Sequence, residues 1–80
     1  MFSPRQCRAA RMLLDWSQAE LAAAAGVRVL LLRRFETGVT DPRGLNRDKI
    51  ERALTAAGIE FLEDGAGAVG VWLRRPVNGD

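Results

Sequence analysis

Two helix-start signals of the same kind constrain the fold of this chain more than any other feature of its sequence. Each is a capping box, in which a serine before the helix and a Gln or Glu three positions later each accept a hydrogen bond from the backbone N–H of the other. Ser3 is followed by Pro4, which suits the first position of a helix, and by Gln6. Ser17 stands 14 residues after Ser3 and is followed by Glu20. This spacing leaves room for only a short helix and a tight turn, so the core must be built from short helices.

Glycines predict where these helices end, because glycine readily adopts the left-handed conformation that terminates a helix. Gly26, Gly38 and Gly58 each follow a stretch with helical character. The start and stop signals together predict four helices, at about 4–14, 18–25, 28–37 and 46–57. Their inward positions include Cys7, Ala10 and Leu14 in the first helix, and Ile50, Ala53, Leu54 and Ala57 in the fourth.

After Gly58 the pattern changes to alternating apolar residues, which predicts strands at 59–63 and 69–74 around a loop at 64–68. An isolated two-stranded hairpin is only marginally stable in water. We therefore expect the strands to pack on the first and fourth helices or to pair with a second copy of the chain. Trp72 either anchors a dimer interface or covers the apolar end of the first helix.

The composition suits one small globular domain: the chain has 80 residues, of which 48% are apolar and 28% are charged. No apolar run is long enough for a membrane span, and the first residues lack the apolar segment of a signal peptide. Cys7 is the only cysteine, so we expect no internal disulfide and treat this thiol as inert packing. A cytoplasmic location is the resulting expectation.

The basic residues are unevenly distributed along the chain. Residues 1–47 contain eight arginines and four acidic residues, whereas residues 48–80 contain four basic and six acidic residues. The first half therefore suits contact with a polyanion, and the second half does not. Eleven of the twelve basic residues are arginine, whose planar guanidinium can contact phosphate or guanine with two hydrogen bonds. A GC-rich genome would explain the same preference for arginine.

The second and third predicted helices have the pattern of a helix-turn-helix. Gly26 lies at the turn, small residues such as Ala22 and Ala25 permit close packing, and Val27, Leu32 and Phe35 form the inner side of the third helix. The sequence resembles the phage repressor and Cro-like helix-turn-helix regulators of the XRE class. The resemblance covers residues 5 to about 62 and rests on the segments 7–11, 14–22, 26–27 and 33–38, continued by Pro42, Ile50, Leu54 and 57–61.

This resemblance implies a mainly helical, lambda-repressor-like domain of four helices with a C-terminal hairpin, in which the third helix enters the major groove of duplex DNA. It implies an ion pair between Arg11 and Glu36 that joins the first helix to the end of the third. The DNA-binding residues that it implies are Ser17, Gln18, Arg28, Val29, Leu30, Arg33, Arg34, Thr37 and Arg43.

One departure from the family pattern concerns the reading face of the third helix. Positions that are usually polar in this family are Val29 and Leu30 here. Apolar side chains can contact the methyl group of thymine, but they cannot form hydrogen bonds with bases. The alternative is that this face binds a protein partner, as in an antitoxin-like or accessory protein. A purely structural interaction module is a third class, which predicts no salt-dependent affinity for nucleic acid.

The functional prediction is a transcription regulator, most simply a repressor, that binds an inverted repeat as a homodimer or with a paralogue. Residues 1–58 are expected to form the DNA-binding domain, and residues 59–80 a dimerisation hairpin with a frayed tail. The residues predicted for dimerisation are Phe61, Val71, Trp72 and Leu73. The chain contains no histidine, no second cysteine and no phosphate-binding glycine loop, so we expect no enzyme activity, metal, cofactor or small-molecule ligand.

Overall fold

The computed structural model describes residues 2–39 and 45–74 of the chain. These residues form four helices and one antiparallel hairpin, which confirms the predicted mainly helical architecture. Every predicted element is present, with ends that agree to within a residue or so. Arg43 and the tail predicted to fray lie outside the described residues. The elements are α1 (Pro4–Leu14), α2 (Gln18–Ala25), α3 (Val29–Glu36), α4 (Leu45–Ala56), β1 (Ile59–Glu63) and β2 (Val69–Leu73).

Both predicted capping boxes are formed, and they explain where α1 and α2 begin. The Ser3 hydroxyl accepts a hydrogen bond from the Gln6 N–H at 3.1 Å, and the Gln6 side chain accepts one from the Ser3 N–H at 3.0 Å. Ser17 and Glu20 make the same two contacts at the start of α2, at 3.0 and 2.8 Å. These contacts satisfy donors that the first turn of a helix leaves without a partner.

The helices bury one continuous apolar core. Leu21 of α2, Leu32 and Phe35 of α3, and Ile50 and Leu54 of α4 are almost fully inaccessible to solvent. Cys7 and Ala10 close the core from the side of α1, while Leu14, Trp16 and Val27 are half-buried at its margin. This arrangement follows the predicted inward faces. No helix in the described part of the chain is long and apolar enough to cross a membrane.

The hairpin covers the core with one of its two faces. Strand register pairs Ile59 with Leu73 and Phe61 with Val71, and these side chains pack against the helical core. The outer face carries the intervening pair, Glu60 with Trp72. β2 packs against α1 and β1 against α4, as expected for a hairpin docked on the first and fourth helices.

Gln6 ties this hairpin to the first helix. Its side-chain amide nitrogen donates to the Leu62 carbonyl at 3.2 Å and to the Gly70 carbonyl at 3.0 Å, one on each strand. The amide oxygen of the same side chain completes the capping box with Ser3. Gln6 is therefore buried with both ends of its amide satisfied, and it links α1 to β1 and β2 at once.

Gly58 makes the close connection between α4 and the hairpin. Its φ of +106° lies in a region that L-residues rarely adopt, and a Cβ at this position would collide with the Arg74 carbonyl oxygen. The Gly58 carbonyl also accepts a hydrogen bond from the Arg74 N–H at 2.7 Å. The glycine predicted as a helix stop is thus also required for the end of β2 to pass close to the backbone.

Phe2 is a core residue that the sequence analysis missed. Its ring is 4% exposed and lies 5.5 Å from the ring of Phe35 and 4.9 Å from that of Phe61, centroid to centroid. Arg47 donates a hydrogen bond to the Phe2 carbonyl and places its guanidinium 6.0 Å from the centre of the Phe2 ring. The start of the chain therefore joins α3, α4 and the hairpin.

Candidate nucleic-acid interface

The pair α2–α3 has the geometry that the turn residues predicted. Gly26 ends α2 in the left-handed conformation, with φ of +73°. The N–H groups of Gly26 and Val27 both donate to the Ala22 carbonyl, at 2.9 and 3.1 Å, which turns the chain sharply after the helix. Ala22 and Ala25 are buried, so their small side chains permit α2 and α3 to pack closely.

α3 has one buried and one exposed side. Leu32, Phe35 and Glu36 are buried, whereas the side chains of the opposite face reach solvent. Val29 is 37% exposed and Leu30 is 48% exposed, so the unusual apolar residues do lie on the accessible side. The other accessible residues of this face are Arg28, which precedes the helix, Arg33 and Arg34.

The three arginines of this exposed face give it a positive charge. Within residues 2–39 and 45–74, no acidic side chain forms an ion pair with Arg28, Arg33 or Arg34. Thr37 follows them as the C-cap of α3, and its exposed hydroxyl lies 3.1 Å from the carbonyl oxygens of both Arg33 and Arg34. The face therefore presents positively charged guanidinium groups that a polyanion could neutralise.

The start of α2 lies beside the end of α3. Ser17 is exposed and its hydroxyl oxygen caps α2. Gln18, the first residue of the helix, is half-buried and donates from its side-chain nitrogen to Glu36 Oε1 at 3.0 Å. The hydrogen bond connects the beginning of α2 with the last residue of α3, and the sequence analysis did not predict it.

Glu36 is the centre of a buried polar cluster. Its side chain is 1% exposed and receives two hydrogen bonds of 2.7 Å from Arg11, one to each carboxylate oxygen. Cys7 Sγ lies 3.1 Å from Oε2 and donates to it, and Arg8 donates to the Glu36 backbone carbonyl. Arg11 also donates to the Trp16 carbonyl at 3.1 Å. The cluster thus holds α1, the α1–α2 turn, α2 and α3 together.

The surroundings of Glu36 explain its ionisation state. Burial raises the pKa of this carboxyl, but the hydrogen bonds from Arg11, Gln18 and Cys7 outweigh burial and hold the pKa below its usual range. The opposite holds for Cys7: burial raises the pKa of its thiol, and the adjacent Glu36 carboxylate raises it further. Glu36 is therefore an anion that accepts hydrogen bonds, and Cys7 is a protonated donor.

Only some of the contacts in this cluster were predicted from the sequence. The structure forms the Arg11–Glu36 pair that the family resemblance implied. The contacts of Cys7 and Gln18 with the same carboxylate, and of Arg8 with the Glu36 backbone carbonyl, were missed. A burial argument for the first helix could have placed Cys7 beside the pair, because it lies one turn before Arg11 on that helix. No local signal distinguishes Gln18 as a partner of Glu36.

The four residues predicted for dimerisation divide between the two faces of the hairpin. Phe61, Val71 and Leu73 are half-buried, and their side chains pack against the core of the same chain. Trp72 is 49% exposed on the outer face. It donates a hydrogen bond to Glu60, and the Arg74 guanidinium carbon lies 5.4 Å from the centre of its ring.

Two short helices that meet at a glycine turn, with an arginine-bearing exposed face on the second, define a helix-turn-helix domain. The helix-turn-helix family model HTH_3 matches residues 8–61, which is more than half of the chain. The chain therefore belongs to the phage repressor and Cro-like (XRE) family of helix-turn-helix proteins, and it is a DNA-binding transcription regulator. The comparison with curated proteins finds no match to the chain.

Proposed function

We propose that this chain is a sequence-specific repressor that binds an inverted repeat in duplex DNA as a homodimer. The observation that carries the proposal is the exposed face of α3, where Val29 and Leu30 are surrounded by three arginines that have no acidic partner within residues 2–39 and 45–74. Backbone phosphates would neutralise the positive charge, and base edges in the major groove would contact the remaining side chains.

The predicted DNA-binding residues divide into those that contact bases and those that contact the DNA backbone. Arg33 and Arg34 project from the accessible side of α3, and a guanidinium can donate two hydrogen bonds to a guanine. Val29 and Leu30 contact thymine methyl groups. Arg28 belongs to the same reading face, and Gln18 contacts the DNA backbone or a base. Ser17, Thr37 and Arg43 are assigned to phosphate or to positions beside the groove. The start of α2 suits an anion because its first N–H groups and the helix dipole both favour negative charge.

A single recognition helix contacts only a few base pairs, so tight binding requires two copies of the domain. We assign the dimer contact to the hairpin. Trp72 is an exposed aromatic side chain on the outer face of the hairpin and can anchor this contact. The pairs Ile59–Leu73 and Phe61–Val71 turn their backbone N–H and C=O groups toward the two edges of the sheet, where a second copy can pair. The dimer would repress by occupying a promoter.

The first test is selection of duplex DNA from a random pool by the purified chain, followed by sequencing. We expect an inverted repeat whose half-sites are about one helical turn, or roughly 10 base pairs, apart. Arg34→Ala should weaken binding to that repeat by about 1–3 kcal/mol and should weaken random DNA much less. Arg52 is exposed on α4, so Arg52→Ala provides a control that removes the same charge as Arg34→Ala. Equal losses on both DNAs would reassign Arg34 to phosphate.

A second candidate function is favoured by the exposure of Val29 and Leu30. In an antitoxin-like or accessory protein, this apolar face of α3 would bind a protein partner, and DNA binding would be secondary. The same selection separates the two functions. The absence of any enriched sequence, with only weak and salt-sensitive binding, would favour the protein partner.

A further inference from the structure

We propose that Glu36 is a positioning residue for DNA binding, because it orients the side-chain amide of Gln18 before DNA arrives. This inference rests on the proposed function, in which Gln18 at the start of α2 contacts DNA. Glu36 itself is buried and cannot reach a ligand in solution. Its effect on DNA would therefore pass through Gln18, whose amide nitrogen lies 3.0 Å from Glu36 Oε1.

The Glu36 carboxylate is held firmly enough to act as a template. Arg11 contacts both of its oxygens at 2.7 Å, and Cys7 donates to Oε2. Gln18 approaches the other oxygen, Oε1. Three donors from α1 and α2 thus converge on one carboxylate that the last turn of α3 carries, and its position is determined by the packing of these helices.

The chemistry of the contact determines which end of the Gln18 amide faces inward. An ionised carboxylate only accepts hydrogen bonds, whereas an amide has a donor end and an acceptor end. Gln18 must therefore turn its NH₂ group toward Glu36, which leaves the second N–H and the amide oxygen in a defined orientation. Gln18 is only half-buried, so the rest of its amide remains accessible at the start of α2.

Such an orientation improves binding because the side chain loses less freedom when DNA arrives. Ordering one flexible side chain weakens association by about two- to tenfold, and an amide already oriented avoids most of that loss. The alternative is that the Gln18–Glu36 hydrogen bond only stabilises the packing of α2 on α3. The two roles differ in whether the benefit of Gln18 to DNA affinity depends on Glu36.

A double-mutant cycle in DNA affinity tests this dependence. The dissociation constant for the selected repeat is measured by fluorescence anisotropy for the full chain, Gln18→Ala, Glu36→Gln and the double variant, after circular dichroism shows that each is folded. We expect Gln18→Ala to weaken binding about tenfold in the presence of Glu36, and about threefold or less in the Glu36→Gln background. Equal factors in the two backgrounds overturn the positioning role.

Cys7→Ser provides the matched control for the cycle. It changes a donor to the same carboxylate, but at Oε2 rather than at the oxygen that contacts Gln18. The tenfold effect of Gln18→Ala should persist in this background. Its disappearance there would show that any disturbance of the cluster acts in the same way, and it would overturn a specific role for the Gln18–Glu36 contact.

A second measurement applies if Glu36→Gln does not fold. Nuclear magnetic resonance relaxation of the Gln18 side-chain amide in the DNA-free, unmodified chain reports its order directly. We expect an order parameter close to the ~0.85 of rigid backbone, and a value below ~0.6 would overturn the proposal. Failure of the unmodified chain to bind any DNA would instead overturn the proposed function on which the inference rests.

Discussion

Arg11 and Glu36 lie 25 positions apart in the sequence, and their side chains meet through two parallel hydrogen bonds of 2.7 Å. The pair connects α1 to the last residue of the helix that carries the exposed arginines. Two parallel N–H···O bonds are a strong geometry for an arginine and a carboxylate, because both partners are planar. The carboxylate is buried, so it depends on this arginine for most of its electrostatic compensation.

Removal of the arginine should destabilise the domain severely. We expect Arg11→Ala to reduce the free energy of unfolding by about 3 kcal/mol, at the lower end of the effect of breaking a buried pair, because Arg11 remains 14% exposed. Urea denaturation followed by circular dichroism measures the change. Arg52→Ala, an exposed arginine on α4, should change it by less than about 0.5 kcal/mol. Similar losses in both variants would contradict a structural role for Arg11.

Acid should weaken the domain through Glu36. Its pKa in the folded protein lies below that of the unfolded chain, so Glu36 stabilises the fold above the unfolded-state pKa and loses this contribution as the pH falls through the folded-state value. We expect the midpoint of urea unfolding to fall as the pH decreases from about 5 to about 3. The Glu36→Gln variant should have a lower free energy of unfolding at neutral pH. Its midpoint of urea unfolding should also change less with pH over this interval.

Glu60→Gln serves as the control for this acid effect. The pKa of Glu60 is also lowered, by hydrogen bonds from Trp72 and Arg74, but its contacts lie on the exposed face of the hairpin. Solvent screens such contacts, so the pH dependence of Glu60→Gln should stay close to that of the unmodified chain. A flat profile in Glu60→Gln instead would assign the acid sensitivity to the hairpin.

The Cys7 thiol should be unreactive while the protein is folded. It is buried, it donates to Glu36, and both features raise its pKa, so the thiolate that reacts with alkylating reagents is scarce. At neutral pH, iodoacetamide should modify the native chain at least ~100-fold more slowly than the chain in concentrated guanidinium chloride. Mass spectrometry of timed samples measures both rates. Comparable rates would show that the cluster opens readily in the native state.

Phe2 should contribute as much to stability as an internal core residue. Its ring contacts those of Phe35 and Phe61, so truncation leaves a cavity between α3 and the hairpin. We expect Phe2→Ala to lower the free energy of unfolding by about 3–5 kcal/mol. Met12→Ala removes an apolar side chain that is 74% exposed and should have little effect. A small loss in Phe2→Ala would mean that the start of the chain does not help to close the core.

The elements of this fold could be predicted from the sequence because their signals are local. Each capping box, Ser3 with Gln6 and Ser17 with Glu20, satisfies N–H groups within a single helical turn. Its role can therefore be predicted without knowledge of any tertiary contact. The same holds for the left-handed glycine after α2, and for the alternation that predicted both strands. The family resemblance added the Arg11–Glu36 pair, which spacing alone does not predict.

The parts that could not be predicted depend on residues far apart in the chain. Gln6 was predicted only as a helix cap, yet its amide also donates to both strands of the hairpin. Phe2 was not predicted as a core residue, because its partners, Phe35 and Phe61, come from distant elements. A single apolar residue near a chain end has no periodic pattern that would indicate burial.

The sequence by itself determined the number, order and ends of the elements, since caps, turns and helical periodicity act over a few residues. Only the tertiary structure decided which hairpin face turns inward and how many donors meet at Glu36. The strand pattern allowed either the hairpin face with Trp72 or the face with Phe61 and Val71 to lie against the core. Packing against α1 and α4 buries the face with Phe61 and Val71. The physical reason is that burial and hydrogen bonding of these groups depend on contacts formed only after the chain has folded.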